Sequence, residues 1–223
     1  MKIKIFVIMV MLITMAPLAW SQGTFRYGSD DERAGKWDFS MEVITLGAEK
    51  ISGPDDQLLA IDDDWGLGFN FGYNFTNHWA LGFDFSWLSP DYELSGTTDE
   101  IPPKFRTVRH EMDIFNGQLT GTFNLLEGPF TPFVNLSAGF SYLDSNIQDG
   151  PAYCYPSYWY WGWYCYADSH DSTEFNYGGG VGVRWDINRD MFLRASYSLM
   201  IIDISASSNP ELGMGRLEIG WRY

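Results

Sequence analysis

Cysteine is scarce in this chain, with two residues in 223. That count excludes a disulfide-dense mini-domain and a zinc site of four thiolates. Basic charge is scarce too: 14 Lys and Arg stand against 29 Asp and Glu, a net charge of −15. A phosphate-binding surface needs clustered Lys and Arg, so nucleic acid is excluded as a partner. Three histidines leave little material for a catalytic or metal centre, and no cofactor motif is present. Beyond the N-terminus no apolar run reaches the ~20 residues of a membrane helix. Aromatic residues and glycine are plentiful instead, at 17% aromatic and 23 Gly, which excludes a disordered chain.

The first segment reads as an address. Lys2 and Lys4 precede an apolar stretch from Ile5 to Leu18, and Ala19-Trp20-Ser21 offers a peptidase site. Residues 1–21 are therefore expected to be a secretory signal, cleaved before Gln22. Removing Lys2 and Lys4 takes the 14 basic residues to 12 against 29 acidic, or −17 for the mature chain. Residues 22–36 are expected to form a periplasmic segment and 37–223 a β-barrel. Export exposes Cys154 and Cys165 to an oxidising compartment, where a bridge between them is expected.

Period two runs through the rest. From Trp65 to Phe75 every odd position is Trp, Leu, Phe or Tyr, and every even position is Gly or Asn. A helix would scatter these residues, whereas a strand sends them to one face. The alternation returns at Trp79–Trp87, Phe175–Trp185, Leu193–Ile201 and Leu217–Tyr223, and more weakly at Trp37–Val43, Phe115–Phe123 and Val134–Tyr142. That makes eight strands.

The large face carries aromatics at its ends and aliphatics between, as bilayer-facing girdles do. The other face is Gly, Asn and Ser with scattered charge, which suits a crowded polar interior. A soluble lipocalin-like barrel would reverse these faces and leave a poorly soluble surface. At membrane depth a sheet must close on itself, because no water satisfies an open edge. The expected fold is thus an all-β, eight-stranded antiparallel transmembrane barrel in a Gram-negative outer membrane.

Connections alternate in length. Thr76–His78, Leu126–Pro129 and Asp186–Asp190 are short turns; Gly47–Asp64, Leu88–Arg106, Asp144–Thr173 and Asp203–Gly213 are long. Short turns are periplasmic and long loops extracellular in such barrels. The final strand, ending Trp221-Arg222-Tyr223, resembles the signal read by the barrel-assembly machinery, an expected partner alongside outer-membrane lipid and lipopolysaccharide.

Several phrases resemble the OmpW family of small outer-membrane barrels. They are Arg33-Ala34-Gly35-Lys36-Trp37, Gly66 to Phe85 with its turn Asn74–Leu81, Thr131-Pro132-Phe133-Val134 with Ala138-Gly139-Phe140, and Asn176 to Asp190. The resemblance implies an eight-stranded barrel with a narrow interior, no catalytic motif, and passive uptake of small hydrophobic molecules. Its pattern does not include the Asp144–Thr173 loop.

Within the barrel the alternation places Asp38, Glu42, Asp84, Arg184, Arg194, Arg216, Glu218 and Arg222. These are either a selectivity lining or, as favoured here, mutually neutralising pairs that fill the lumen. Between Cys154 and Cys165 lie seven aromatics. Tyr158, Trp159, Trp161 and Trp163 are candidates for binding an apolar ligand at the mouth, with Phe192 and Met200 lining a path below. Asp55, Asp56 and Asp62–Asp64 read as a solvated acidic loop without EF-hand spacing. Ser169-His170-Asp171-Ser172 holds the residue types of a triad, but neighbours in sequence rarely form one, and no enzyme is expected.

Two functions follow as expectations. The first is passive passage or capture of small hydrophobic solutes. The alternative is a closed-lumen structural or binding barrel acting through its extracellular loops in adhesion or partner recognition. A continuous apolar groove past Met200 and Phe192 would favour the first; closed Arg–carboxylate layers would favour the second.

Overall fold

The computed structural model describes residues 33–52, 58–97, 105–148, 153–157, 162–166, 169–203 and 209–223. Fourteen strands follow in chain order: β1 (Trp37–Leu46), β2 (Glu49–Ser52), β3 (Leu58–Ile61), β4 (Asp64–Asn74), β5 (Trp79–Leu88), β6 (Asp91–Thr97), β7 (Phe105–Glu111), β8 (Asp113–Asn124), β9 (Phe130–Gln148), β10 (Tyr153–Ser157), β11 (Gly162–Tyr166), β12 (Ser169–Asp186), β13 (Met191–Asp203) and β14 (Glu211–Arg222). The expected signal segment lies outside the described residues.

Eight of these strands close a barrel in the order β1-β14-β13-β12-β9-β8-β5-β4. Every neighbouring pair is antiparallel, and β1 meets β14 to seal the ring with Asp38 opposite Arg222. The pattern of two explains the closure. In β4, Gly66, Gly68, Asn70, Gly72 and Asn74 turn inward, while Trp65 is 59% exposed on the outer face. Outward aromatics contact one another across strands: Trp37 stacks on Phe71 at 4.8 Å, and Phe69 meets Phe85 at 5.1 Å. These cross-strand pairs fix register on a face that only lipid would otherwise hold.

The long connections hold more structure than bare loops. β2, β3, β6 and β7 form a four-stranded sheet in that order. The order repeats that of β1, β4, β5 and β8 beneath it, so this sheet continues the barrel wall beyond the rim. Register explains its cohesion: Ile61 lies opposite Tyr92, and Ile51 opposite Leu59, which lies opposite Leu94. Ile61 and Tyr92 join the buried cluster at the mouth with Ile51 and Leu59 packed against it, whereas Leu94 is exposed. β9 and β12 also run past the rim on the other side, pairing up to Ser169 and Gln148. The runs were too short, at four residues for β2 and β3, to show a period in sequence.

Candidate functional site

The lumen is filled in tiers. At the periplasmic floor, Arg184 Nη1 donates to Asp38 Oδ2 at 2.7 Å and its Nε donates to Asp186 Oδ1 at 2.9 Å. Arg222 Nη2 donates to the same Asp186 oxygen. Arg33 reaches the other oxygen from outside the barrel strands, with Nε 2.8 Å from Asp186 Oδ2. Gly35, at φ 79°, turns the chain into a left-handed conformation that brings Arg33 under the floor.

Arg33 does more than pair. Its guanidinium donates to the backbone carbonyls of Asn77, Leu126 and Gly128, in the turns after β4 and β8. Its own N–H and that of Ala34 donate to Asn77 Oδ1 at 2.9 and 3.2 Å. Burial lowers the Arg33 guanidinium from its ordinary pKa, and the Asp186 carboxylate opposes that shift. One side chain therefore ties two periplasmic turns to the end of β12.

Above the floor, Phe192 is fully buried with the Arg184 guanidinium carbon 4.0 Å from its ring centre and that of Arg194 at 5.2 Å. Two guanidinium groups against one ring make a cation–π layer. Gly220 provides the space: a Cβ there would sit 2.2 Å from Phe192 Cζ. Arg194 then donates to Glu218 and, at 3.1 Å, to Ser40 Oγ, which itself donates to Glu218 at 2.8 Å. Arg216 Nη1 donates to Asp84 Oδ2 at 2.8 Å and stands 3.7 Å from Glu42. Five basic side chains, Arg33, Arg184, Arg194, Arg216 and Arg222, thus meet five acidic ones, Asp38, Glu42, Asp84, Asp186 and Glu218. A buried charge without a counter-charge is costly, and this balance removes that cost for the lumen as a whole.

A chain of amides and hydroxyls follows on another part of the wall. Gln118 donates to Asn176 at 2.7 Å, Asn176 to Ser141 at 2.7 Å, Ser141 to Asn116 at 2.6 Å, and Asn116 to Ser86 at 3.1 Å. Gln118 also reaches Met200 Sδ at 3.5 Å, where polar packing gives way to apolar. Ile44, Leu46, Ile61, Leu88, Tyr92, Ile114, Met200, Ile202, Leu212 and Met214 form one buried cluster across the mouth. Ile61 and Tyr92 come from the extracellular sheet, and the Tyr92 hydroxyl donates to the Ser145 carbonyl at 3.1 Å.

Phe192 and Met200 consequently sit in different tiers. One belongs to the charged layers and the other to the apolar mouth, eight residues apart on β13, roughly 26 Å along a strand. Between them on the same inward face of β13 stand the polar residues Arg194, Ser196 and Ser198. Tyr158, Trp159 and Trp161 lie outside the described residues; for Trp163, Cys154 and Cys165 only the backbone is described. That backbone sets Cys154 directly opposite Cys165. Of the acidic loop, Asp55 and Asp56 lie outside the described residues. His78 bonds the Asn124 carbonyl at 2.7 Å and faces Glu127 at 3.2 Å, a turn contact.

Sequence reading missed Arg33 and Asp186 as lumen residues. Asp186 continues the inward parity of Arg184, so the period would have found it had the strand been carried two residues further. Arg33 precedes the first strand, and no periodicity reaches it.

The chain belongs to the outer membrane protein beta-barrel domain family, which matches residues 5–222. It is a bacterial outer-membrane protein with a closed antiparallel barrel. Among solved structures, Neisserial surface protein A is similar at 11% identity and TM-score 0.52, covering 85% of this chain and 96% of that one. Ail, the attachment invasion locus protein of Yersinia pestis, is similar at 13% identity and TM-score 0.48, covering 85% and 99%. OprG from Pseudomonas aeruginosa is similar at 12% identity and TM-score 0.49, covering 85% and 96%. No curated protein matches the sequence. At these identities the likeness is one of fold.

Proposed function

We propose that this barrel is closed along its axis and acts through its extracellular sheet, as a structural or binding protein of the outer membrane without catalytic activity. The observation that carries this reading is the double seal. Ion-pair layers anchored by Arg33, Arg184 and Arg222 fill the periplasmic half, and an apolar cluster fills the mouth. A hydrophobic solute meets buried guanidinium groups below Met200, and an ion meets ten buried apolar side chains above Arg216. The exposed faces and edges left for recognition belong to β2, β3, β6 and β7, together with the Cys154–Cys165 hairpin. Partner binding or adhesion through that surface is the function we assign.

Passage or capture of small hydrophobic solutes is the second reading. The apolar mouth cluster favours capture, and the sequence phrases shared with the OmpW family support placing the chain beside that family. Lipopolysaccharide is the proposed lipid partner at the rim, where the outward aromatics end.

Reconstitution in planar bilayers and in liposomes tests the choice. The closed reading expects no conductance steps and no accelerated uptake of small alkanes or aromatics. Steady conductance, or uptake that disappears when Phe192 or Met200 is enlarged, would establish the passage reading instead.

A further inference from the structure

We infer that the free edge of β7 is a docking site for an extended polypeptide segment, which adds to the extracellular sheet as a further antiparallel strand and brings a carboxylate to Arg109. The inference rests on the reading of that sheet as a binding surface and names the chemistry of its partner.

The barrel wall splits above β8. Below the split β8 and β9 pair, with Asp113 opposite Asp144. Above it β7 pairs only with β6 among the described residues and ends the four-stranded sheet. The two walls part at Asn146, which has φ 52° and is the one non-glycine residue with positive φ among the described residues. Around it β9 holds extra residues: Ser169 lies opposite Gln148 but Asp171 opposite Asp144, so two steps on β12 meet four on β9. A bulge of this kind re-aims a strand and ends its pairing. Side chains then seal the base of the split in place of a ladder. Asn146 Nδ2 donates to the Glu111 carbonyl at 2.9 Å, and the Tyr92 hydroxyl donates to the Ser145 carbonyl.

Hydrogen-bond parity shows what β7 offers above that seal. The Met112 N–H donates to the Pro90 carbonyl at 2.9 Å, one step beyond the pair Asp91–Glu111. Mutually bonded positions alternate along an antiparallel pair. The backbone groups of His110, Val108 and Arg106 therefore turn to β6. Those of Glu111, Arg109, Thr107 and Phe105 turn away from it, as the bond from Asn146 to Glu111 requires. The far side of β6 obeys the same parity, since the Asp91 carbonyl accepts from the Asp62 N–H beside β3. For Phe105, Thr107 and Arg109 no strand follows on the open side among the described residues.

An unpaired edge is a template for a further strand, and proteins that do not use one shorten, cover or charge it. β7 is seven residues long, and both its faces are open: Phe105 is 70% exposed on one and Val108 40% on the other. Its charge selects a partner. Arg106 and Arg109 stand on this edge in a chain of net charge −15. Arg109 meets Glu93 at 2.8 Å, but the pair is solvent-exposed and held weakly, so a second carboxylate can join the guanidinium. A strand with a carboxylate opposite Arg109 and, four residues on, an apolar side chain opposite Phe105 matches the edge, whereas a basic strand is repelled. Two copies of the chain in one membrane run β7 the same way along the membrane normal, so a second copy does not supply the antiparallel partner.

The test refolds the mature chain in micelles and follows backbone amides by NMR. The probe is a nine-residue peptide of alternating threonine and valine, with one glutamate four residues before a phenylalanine. On saturation the amides of Phe105, Thr107 and Arg109 are expected to exchange about tenfold more slowly, while those of Arg106, Val108 and His110, already bonded to β6, change little. Thr107→Pro removes an edge donor without touching the β6 ladder, and is expected to abolish binding with the barrel's unfolding midpoint unchanged. Where that variant does not fold, the N-methylated peptide, with the same side chains and no N–H, is expected not to bind the wild-type chain. Arg109→Glu is expected to weaken the glutamate peptide about tenfold and to favour the same peptide with lysine in its place. Unprotected edge amides at saturating peptide overturn the proposal, as does binding that survives both Thr107→Pro and N-methylation. Edge amides protected before peptide is added overturn it too: loss of that protection on dilution shows a second copy on the edge, and its persistence shows a segment of this chain. Bilayer conductance is measured on the same preparation. A conducting barrel defeats the closed-lumen reading, whereas a silent barrel with unprotected edge amides defeats the β7 site alone.

Discussion

Arg33 Nε lies 2.8 Å from Asp186 Oδ2, joining two residues 153 positions apart across the barrel floor. Arg33→Ala removes this pair and releases three backbone carbonyls. Breaking a buried pair from one side costs about 3–5 kcal/mol. Urea unfolding in micelles is expected to show a loss of that order. Arg33→Lys is expected to recover only part, because an ammonium cannot reproduce the guanidinium fork. An unchanged unfolding midpoint in Arg33→Ala would show that the floor bears no stability.

The Phe192–Gly220 contact gives a coupled prediction. Gly220→Val drives a side chain into the Phe192 ring, and overpacking of this kind costs about 1–3 kcal/mol. Phe192→Ala empties the layer between Arg184 and Arg194 at about 3–5 kcal/mol. The double variant is expected to lose less than the sum, since each change accommodates the other. Strict additivity in a double-mutant cycle counts against the packing described.

Orientation toward lipid is tested by neighbours on β9. Leu136 is 74% exposed on the outer face, and Ser137 faces the lumen. Leu136→Arg is expected to destabilise the barrel by about 2–4 kcal/mol in lipid vesicles. Ser137→Ala is expected to fall within ~0.5 kcal/mol. A neutral Leu136→Arg would mean that this face does not meet hydrocarbon.

Cys154 and Cys165 occupy opposed positions on β10 and β11. A bridge there is expected to appear as a gain of two hydrogens in intact mass on reduction of the exported protein. Replacing both by Ala is expected to speed proteolysis of the hairpin while the barrel's own midpoint stays put. Two alkylatable thiols in the unreduced protein would dismiss the bridge.

Ile61 and Tyr92 attach the extracellular sheet to the mouth. Ile61→Asp places an unpaired carboxylate in that cluster, a change that buried apolar surroundings resist. Limited proteolysis is expected to remove extracellular segments faster than in the wild-type chain, with the spanning strands still protected.

The sequence carried the barrel because its period is physical. Trp65, Leu67, Phe69 and Phe71 can share a face only in a strand, and that face can be wetted by lipid but not by water. All eight barrel strands and the inward set from Asp38 to Arg222 follow from that rule, and the alternating short and long connections agree with their antiparallel order. The candidate site was legible as an inventory of inward charges. Their partners were not, since shear and rotamer let Arg184 reach both Asp38 on β1 and Asp186 on its own strand.

What the sequence by itself determined is the side each residue takes. Alternation is local, and a one-residue slip would expose every Gly and Asn to lipid. What the tertiary structure decided is the height at which those residues meet: Arg33 beneath Asp186, Phe192 between two guanidinium groups, and Tyr92 over Met200 rather than in a loop. Closure of the ring staggers neighbouring strands, and that stagger sets which distant layers coincide.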